Sequence, residues 1–108
     1  MAVNVFRNVT DDITAGGLEV YTAPVGYSAI VLSAQISNTD SSAVTVSLGV
    51  LDVDSSYTSL LTDFEVPGND AVNGLVGKLV LQSGQALFAS AADSTSLKLV
   101  LSVLESQN

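Results

Sequence analysis

Residues 27–53, YSAIVLSAQISNTDSSAVTVSLGVLDV, decide how this chain folds. In the first half Ile30, Leu32, Ala34 and Ile36 alternate with Ser33, Gln35 and Ser37. In the second, Val44, Val46, Leu48 and Val50 alternate with Thr45, Ser47 and Gly49. Side chains on a strand point alternately to opposite faces, so a period of two marks a strand with one dry and one wetter face. Asn38-Thr39-Asp40-Ser41-Ser42 lies between them, and such short polar side chains bond to nearby backbone and favour turns. The pattern predicts a β-hairpin.

Outward from this stretch the chain reads as short strands separated by turn signals. Ala2 to Val9 alternates Val3, Val5 and Arg7 against Asn4, Phe6 and Asn8, as a first strand or as an extended arm reaching a neighbour. Breaks follow at Thr10–Asp12 and Thr14–Gly17. A strand over Leu18–Thr22 is predicted next, then a tight turn at Ala23-Pro24-Val25-Gly26, where Pro presets φ and Gly allows a positive one. Tyr57–Glu65 is a further strand. Val66–Asp70 is a turn, Ala71–Leu81 is broken by Gly74 and Gly77 before a strand from Lys78, and Gln82–Gln85 turns into Ala86–Ala91. After Ala92–Thr95, Leu97, Leu99, Leu101 and Val103 share one face, with Lys98 and Ser102 pointing away, which predicts a central strand. About eight strands without helical periodicity indicate an all-β antiparallel sandwich, jelly-roll-like or Ig-like. The expected organisation is one domain, with the arm or first strand over 1–17 and the sandwich over 18–108.

At 108 residues, folding buries roughly 65% of the extended-chain surface, enough for a core without covalent staples. The chain has no cysteine, which excludes disulfides and thiolate metal sites and fits assembly in a reducing cytoplasm. No basic start precedes an apolar run at the N-terminus, so no signal peptide is expected, and no apolar run has the length of a membrane-spanning helix. A soluble domain is the expectation. Eleven acids against Arg7, Lys78 and Lys98 leave a net charge of −8. Nucleic-acid binding works by neutralising phosphates with Lys and Arg, so no nucleic-acid partner is expected, and anionic lipid would repel the chain as well. Only 13% of residues are charged and 47% are hydrophobic, about half the usual charged share. So few charges protect a small β domain poorly, which points to a surface covered by other subunits.

Reactive chemistry is scarce. Without histidine or cysteine the commonest general base and soft metal ligands are missing. No GxSxG, phosphate-binding loop or dinucleotide fingerprint occurs. Asp11, Asp12, Asp40, Asp70 and Asp93 sit in turns, where their side chains serve the backbone. Asp52, Asp54, Ser56 and Asp63 have spacing reminiscent of a calcium loop. Yet Tyr57 stands where that loop needs glycine and an Asp replaces its final Glu, so an Asp-rich loop is the better reading. Tyr21, Tyr27, Phe64 and Phe88 are expected in the core, with the Tyr27 hydroxyl bonding a loop. No catalytic residue, cofactor or metal is expected.

The run VYTAPVGYSAIVLSAQISNTDSSAVTVSLGVLDVD (residues 20–54) resembles a segment of small virion proteins of tailed bacteriophages. There a strand ending Tyr-Thr-x-Pro-x-Gly leads to a long strand, polar turn residues and a Val/Thr-rich strand. VPGND, GKLVLQSGQALFASAADS read as a hairpin, and LVLSVLE extend the similarity over about Glu19–Glu105. The loop Asp52–Thr62 departs from it. The resemblance implies a capsid decoration (cement) protein, or a tail, neck or fibre component, with no catalytic residues to carry over. The partners it implies are the major capsid protein or other virion proteins, together with copies of the chain itself, by analogy a trimer. The acidic charge favours the exterior of a particle assembled in the host cytoplasm, away from packaged DNA. The candidate partner-binding arm comprises Val3, Val5, Phe6, Arg7 and Val9.

Overall fold

A computed structural model describes residues 4–108. Its nine strands are β1 (Asn4–Asp12), β2 (Leu18–Thr22), β3 (Tyr27–Asn38), β4 (Val44–Leu51), β5 (Tyr57–Val66), β6 (Ala71–Asn73), β7 (Leu79–Leu81), β8 (Ala86–Ala91) and β9 (Leu97–Gln107). Every pairing is antiparallel. The first sheet runs β1-β9-β3, with β6 and β7 following one another along the far edge of β3; the second runs β2-β8-β4-β5. β6 and β7 act as one edge strand interrupted at residues 74–78, which raises the count from eight to nine. With that pair taken as one, the two interleaved orders are those of a double-sheet jelly roll. They are not those of an immunoglobulin sandwich, whose first two strands share a sheet.

Two expected hairpins are therefore corrected. β3 and β4 lie in different sheets, so residues 39–43 form an arch across the sandwich. β7 and β8 are split between sheets in the same way. A two-residue Asn-Gly loop forces strands side by side, whereas a five-residue polar loop permits either outcome. Here the buried Asn38 decides it. Its amide donates to the Ser42 and Val66 carbonyls (2.9 and 3.0 Å) while its Oδ1 accepts the Asp40 N–H (2.9 Å). Those bonds carry the chain from the end of β3 over to the second sheet. The hairpin within the second sheet is β4–β5, around Asp52–Ser56.

The alternation on β3 also changes phase. Val31 pairs with Val103 and Ser33 with Ser102, leaving Leu32 as an extra residue in a β-bulge. Ala29 and Val31 therefore point inward before the bulge, and Ala34 and Ile36 after it, all fully buried. Ile30 and Leu32 are turned to the outer face. On β9 the expected inner face holds without interruption: Leu97, Leu99, Leu101 and Val103 are buried against Ile36, Leu48 and Leu87. Each such side chain contributes roughly 1.5–3 kcal/mol by leaving water. Ile13, between two stretches read as breaks, is fully buried as well, its N–H donating to the Leu97 carbonyl.

Candidate functional site

β1 forms one edge of the first sheet and pairs with β9 from Asn4 to Asp12 without a shift. This places the expected arm residues on two different surfaces. Val5 and Val9 are half-buried and face the sandwich interior. Arg7 is on the same side, at the rim. Phe6 is 75% exposed on the outer face. Val3 lies outside the described residues.

Phe6 ends a row that crosses the whole sheet: it pairs with Leu104, Leu104 with Ile30, and Ile30 with Val80. Leu32, displaced outward by the bulge, joins Phe6, Asn8 and Ser102 around a shallow depression of about 240 Å³. From β1, β9 and β3 the charged side chains on this outer face are Asp12 and Lys98, and they pair at 3.0 Å. The rest are Ser, Thr, Asn, Gln and apolar groups. A broad, nearly uncharged face on a chain of net charge −8 is the main physical anomaly of the molecule.

At the rim behind Phe6, Glu105 is buried and ties the two sheets together. Arg7 Nε donates to its Oε1 at 2.7 Å and the Tyr21 hydroxyl donates to its Oε2 at 2.5 Å. Burial opposes the charged form of Glu105, but the Tyr21 and Arg7 bonds and the guanidinium charge outweigh it and hold the carboxyl below its ordinary range. Burial first, and the bond to Glu105 second, push the Tyr21 hydroxyl well up. Sequence reading missed Glu105, although it continues the inward period of Leu97 to Val103.

The second sheet presents a different surface. Tyr57 and Phe88 meet edge to face with ring centroids 6.0 Å apart, among Ser47, Ser59, Thr62 and Ser90. Tyr57 lies across Gly49, where any Cβ would collide with the ring. Phe88 is half-buried on the outer face of the second sheet rather than in the core, and Phe64, 41% exposed, is not in the core either. Both correct the expectation of buried aromatics. Tyr27 is tied in by its backbone, donating to Pro24 and accepting from Ser83 Oγ.

The acids of the loops are occupied as turn residues, whereas Asp11 and Asp12, expected in a turn, lie at the end of β1, where pairing with β9 continues through both. Asp11, Asp40, Asp52, Asp54, Asp70 and Asp93 each accept a nearby backbone N–H. Asp54 also takes the Ser56 hydroxyl at 2.6 Å and Asp93 the Ser96 hydroxyl at 2.8 Å, and those bonds hold both carboxyls below their usual range. Among the described residues no three His, Cys, Asp or Glu side chains converge as a metal site, and Asp63 lies on β5, away from the Asp52–Ser56 loop.

No protein-family model matches the chain, and no curated protein matches it in sequence. Solved structures do resemble it in fold. A chain of the disulfide-linked pili that form Bacillus endospore appendages aligns with 99% of this chain and 88% of its own, with a TM-score of 0.60 and 6% identity. A chain from the acidic stable capsid of Helicobacter pylori bacteriophage KHP30 aligns over 98% of this chain and 93% of its own, at 0.51 and 16%. One from infectious bursal disease virus, Gx strain, covers 99% of this chain but 33% of its own, at 0.57 and 9%. Such likenesses establish the fold alone.

Proposed function

We propose that the protein is a non-enzymatic structural component of a tailed-phage virion, an exterior decoration protein that clamps neighbouring capsid subunits. The observation that carries this reading is the nearly uncharged outer face of the first sheet, crossed by Phe6, Leu104, Ile30 and Val80. Exposed apolar surface of that kind marks a site of association. Burying it against a shell protein stabilises the contact without desolvating charges, and the acidic remainder faces solvent rather than packaged DNA. The likeness in fold to a capsid-derived chain of nearly equal length supports an accessory subunit. The partner is the major capsid protein or another virion protein, and copies of the chain associate with one another. Purified virions should carry it in several hundred copies, read from stained gel bands. Particles lacking it should rupture at lower temperature or milder osmotic shock, and equal resilience would refute cementing.

The Tyr57–Phe88 surface favours a second reading, a tail or fibre module touching a host glycan. An aromatic ring flanked by four hydroxyl side chains offers a platform and hydrogen bonds to a neutral sugar. A handful of copies per particle, with glycan binding lost in Tyr57→Ala, would favour it over the first.

A further inference from the structure

A sandwich with open sheets has four edges, and three of them are guarded. β2 has five residues and is bulged between Glu19 and Tyr21. β5 is long but shifts register twice, holds Asp63 at φ 48° and exposes Asp63 and Glu65. β6 and β7 are three residues each, separated by a loop. Shortness, bulges and charges are the devices that keep strand edges from pairing. β1 has none of the first two: nine residues in unbroken register, with no described strand on its outer side. Of its two inward charges, Arg7 is already engaged by Glu105 within the molecule, and Asp11 lies near the C-terminal end of the strand.

We propose that two copies of the chain pair antiparallel through β1, joining their first sheets across a two-fold axis at Asn8. The strand's own sequence selects a second copy as the occupant. Its N-terminal half carries Val5, Phe6 and the cation Arg7; its C-terminal half carries Asp11 and Asp12. Antiparallel self-pairing sets each half against its opposite. With Asn8 facing Asn8, full overlap places Phe6 opposite Thr10 and Arg7 opposite Val9. Arg7 then has the mate's Asp11 and the mate's Arg7 as its two diagonal neighbours on the same face, the like charge being offset by Glu105 in each copy. Diagonal neighbours in a sheet are within reach of a long side chain. The bond to Glu105 uses Nε, and the remaining guanidinium N–H groups can serve that carboxylate. A parallel partner, or an antiparallel one without this charge gradient, would leave Asp11 without a cation, Asp12 being held by Lys98 of its own chain. Because the inference concerns the purified chain, it stands or falls separately from the virion reading.

The natural absence of cysteine makes the test direct. Light scattering and sedimentation should give twice 11.1 kDa at high concentration, dissociating on dilution in a range on the order of micromolar, as small interfaces do. Asn8→Lys, an exposed outer-face change, sets two like charges opposite each other and should weaken dimerisation at least about tenfold with unchanged circular dichroism. Under oxidation Asn8→Cys should cross-link into a covalent dimer, since directly opposed Cα atoms lie about 4.5–5.5 Å apart. Thr10→Cys should not, because the two copies of that position are offset by roughly 13 Å. A monomer at all concentrations overturns the proposal. So does a dimer indifferent to Asn8→Lys, or equal cross-linking of both cysteine variants.

Discussion

Asn38 and Glu105 are buried polar residues, and each holds the two sheets in place by bonds that an apolar replacement cannot make. Asn38→Ala leaves the Ser42 and Val66 carbonyls without the amide and the Asp40 N–H without its acceptor. Orphaned buried groups cost about 1–3 kcal/mol, so urea unfolding should show a loss of about 2 kcal/mol; a loss under about 0.5 kcal/mol would mean that the arch does not depend on this amide. Glu105 gives a pH signature. Its carboxyl titrates lower when folded than its unfolded value near 4.3. The stability it supplies is therefore complete above that unfolded value and is lost as pH falls through the folded one. Glu105→Gln should unfold at lower urea than the parent at pH 7, and the gap should narrow toward pH 3. A gap of constant size would show that packing, not charge, is what Glu105 supplies.

Among the elements, β9 is the one whose place the sequence states most plainly, because leucine or valine at every second position leaves a single possible inner face. It lies between β1 and β3 in the first sheet, so truncation there is expensive. Leu101→Ala should cost about 2–5 kcal/mol, whereas Val100→Ala, on the outer face, should stay within about 0.5 kcal/mol; thermal melts would check the contrast. β3 was less legible. In AIVLSAQI both frames are apolar, so composition carries no mark of the bulge at Leu32, and the inner set became Ala29 and Val31 where Ile30 and Leu32 fit the simple alternation. The pairing partners were hidden for a related reason: polar loops of four or five residues join strands within a sheet or between sheets equally well. Most turn positions, by contrast, were readable from single residues, although Thr10–Asp12, read as a break, continues β1. One of them now supports a sharper expectation. A Cβ on Gly68 would run into the backbone of Ser41, where the arch and the β5–β6 loop are tied by Asn69 N–H to the Asp40 carbonyl. Backbone cannot swing aside as a side chain can, so Gly68→Ala should destabilise by about 2–3 kcal/mol. Gly49→Ala, which displaces only the outer end of the Tyr57 ring, should cost far less. Equal effects of the two would mean that the arch yields.

Over the whole molecule, charge is unevenly spread. Asp11, Asp12, Asp40, Glu65, Asp70 and Asp93 gather with Lys98 at one end of the sandwich, around the arch and the loops bonded to it. The outer face of the first sheet is nearly free of charge. The two regions should respond differently to salt. Repulsion among exposed acids is screened within about 10 Å at 0.1 M ionic strength, so raising salt should stabilise the fold by roughly half a kcal/mol, or about 2–4 °C in melting temperature. The proposed attachment to a capsid through this nearly uncharged face would rest on apolar burial rather than on ion pairs between the partners. Rebinding of the protein to stripped particles should therefore change less than about twofold between low and high salt, unlike an interface steered by opposite charges. Val80 tests the location of that contact. It is 58% exposed and ends the apolar row, so Val80→Glu should leave stability within about 0.5 kcal/mol while placing a desolvated, unpaired charge in the contact. The expected result is at least a tenfold loss of rebinding with an unchanged melting temperature. Rebinding that survives Val80→Glu but collapses in high salt would move the attachment surface from the apolar face to the acidic end.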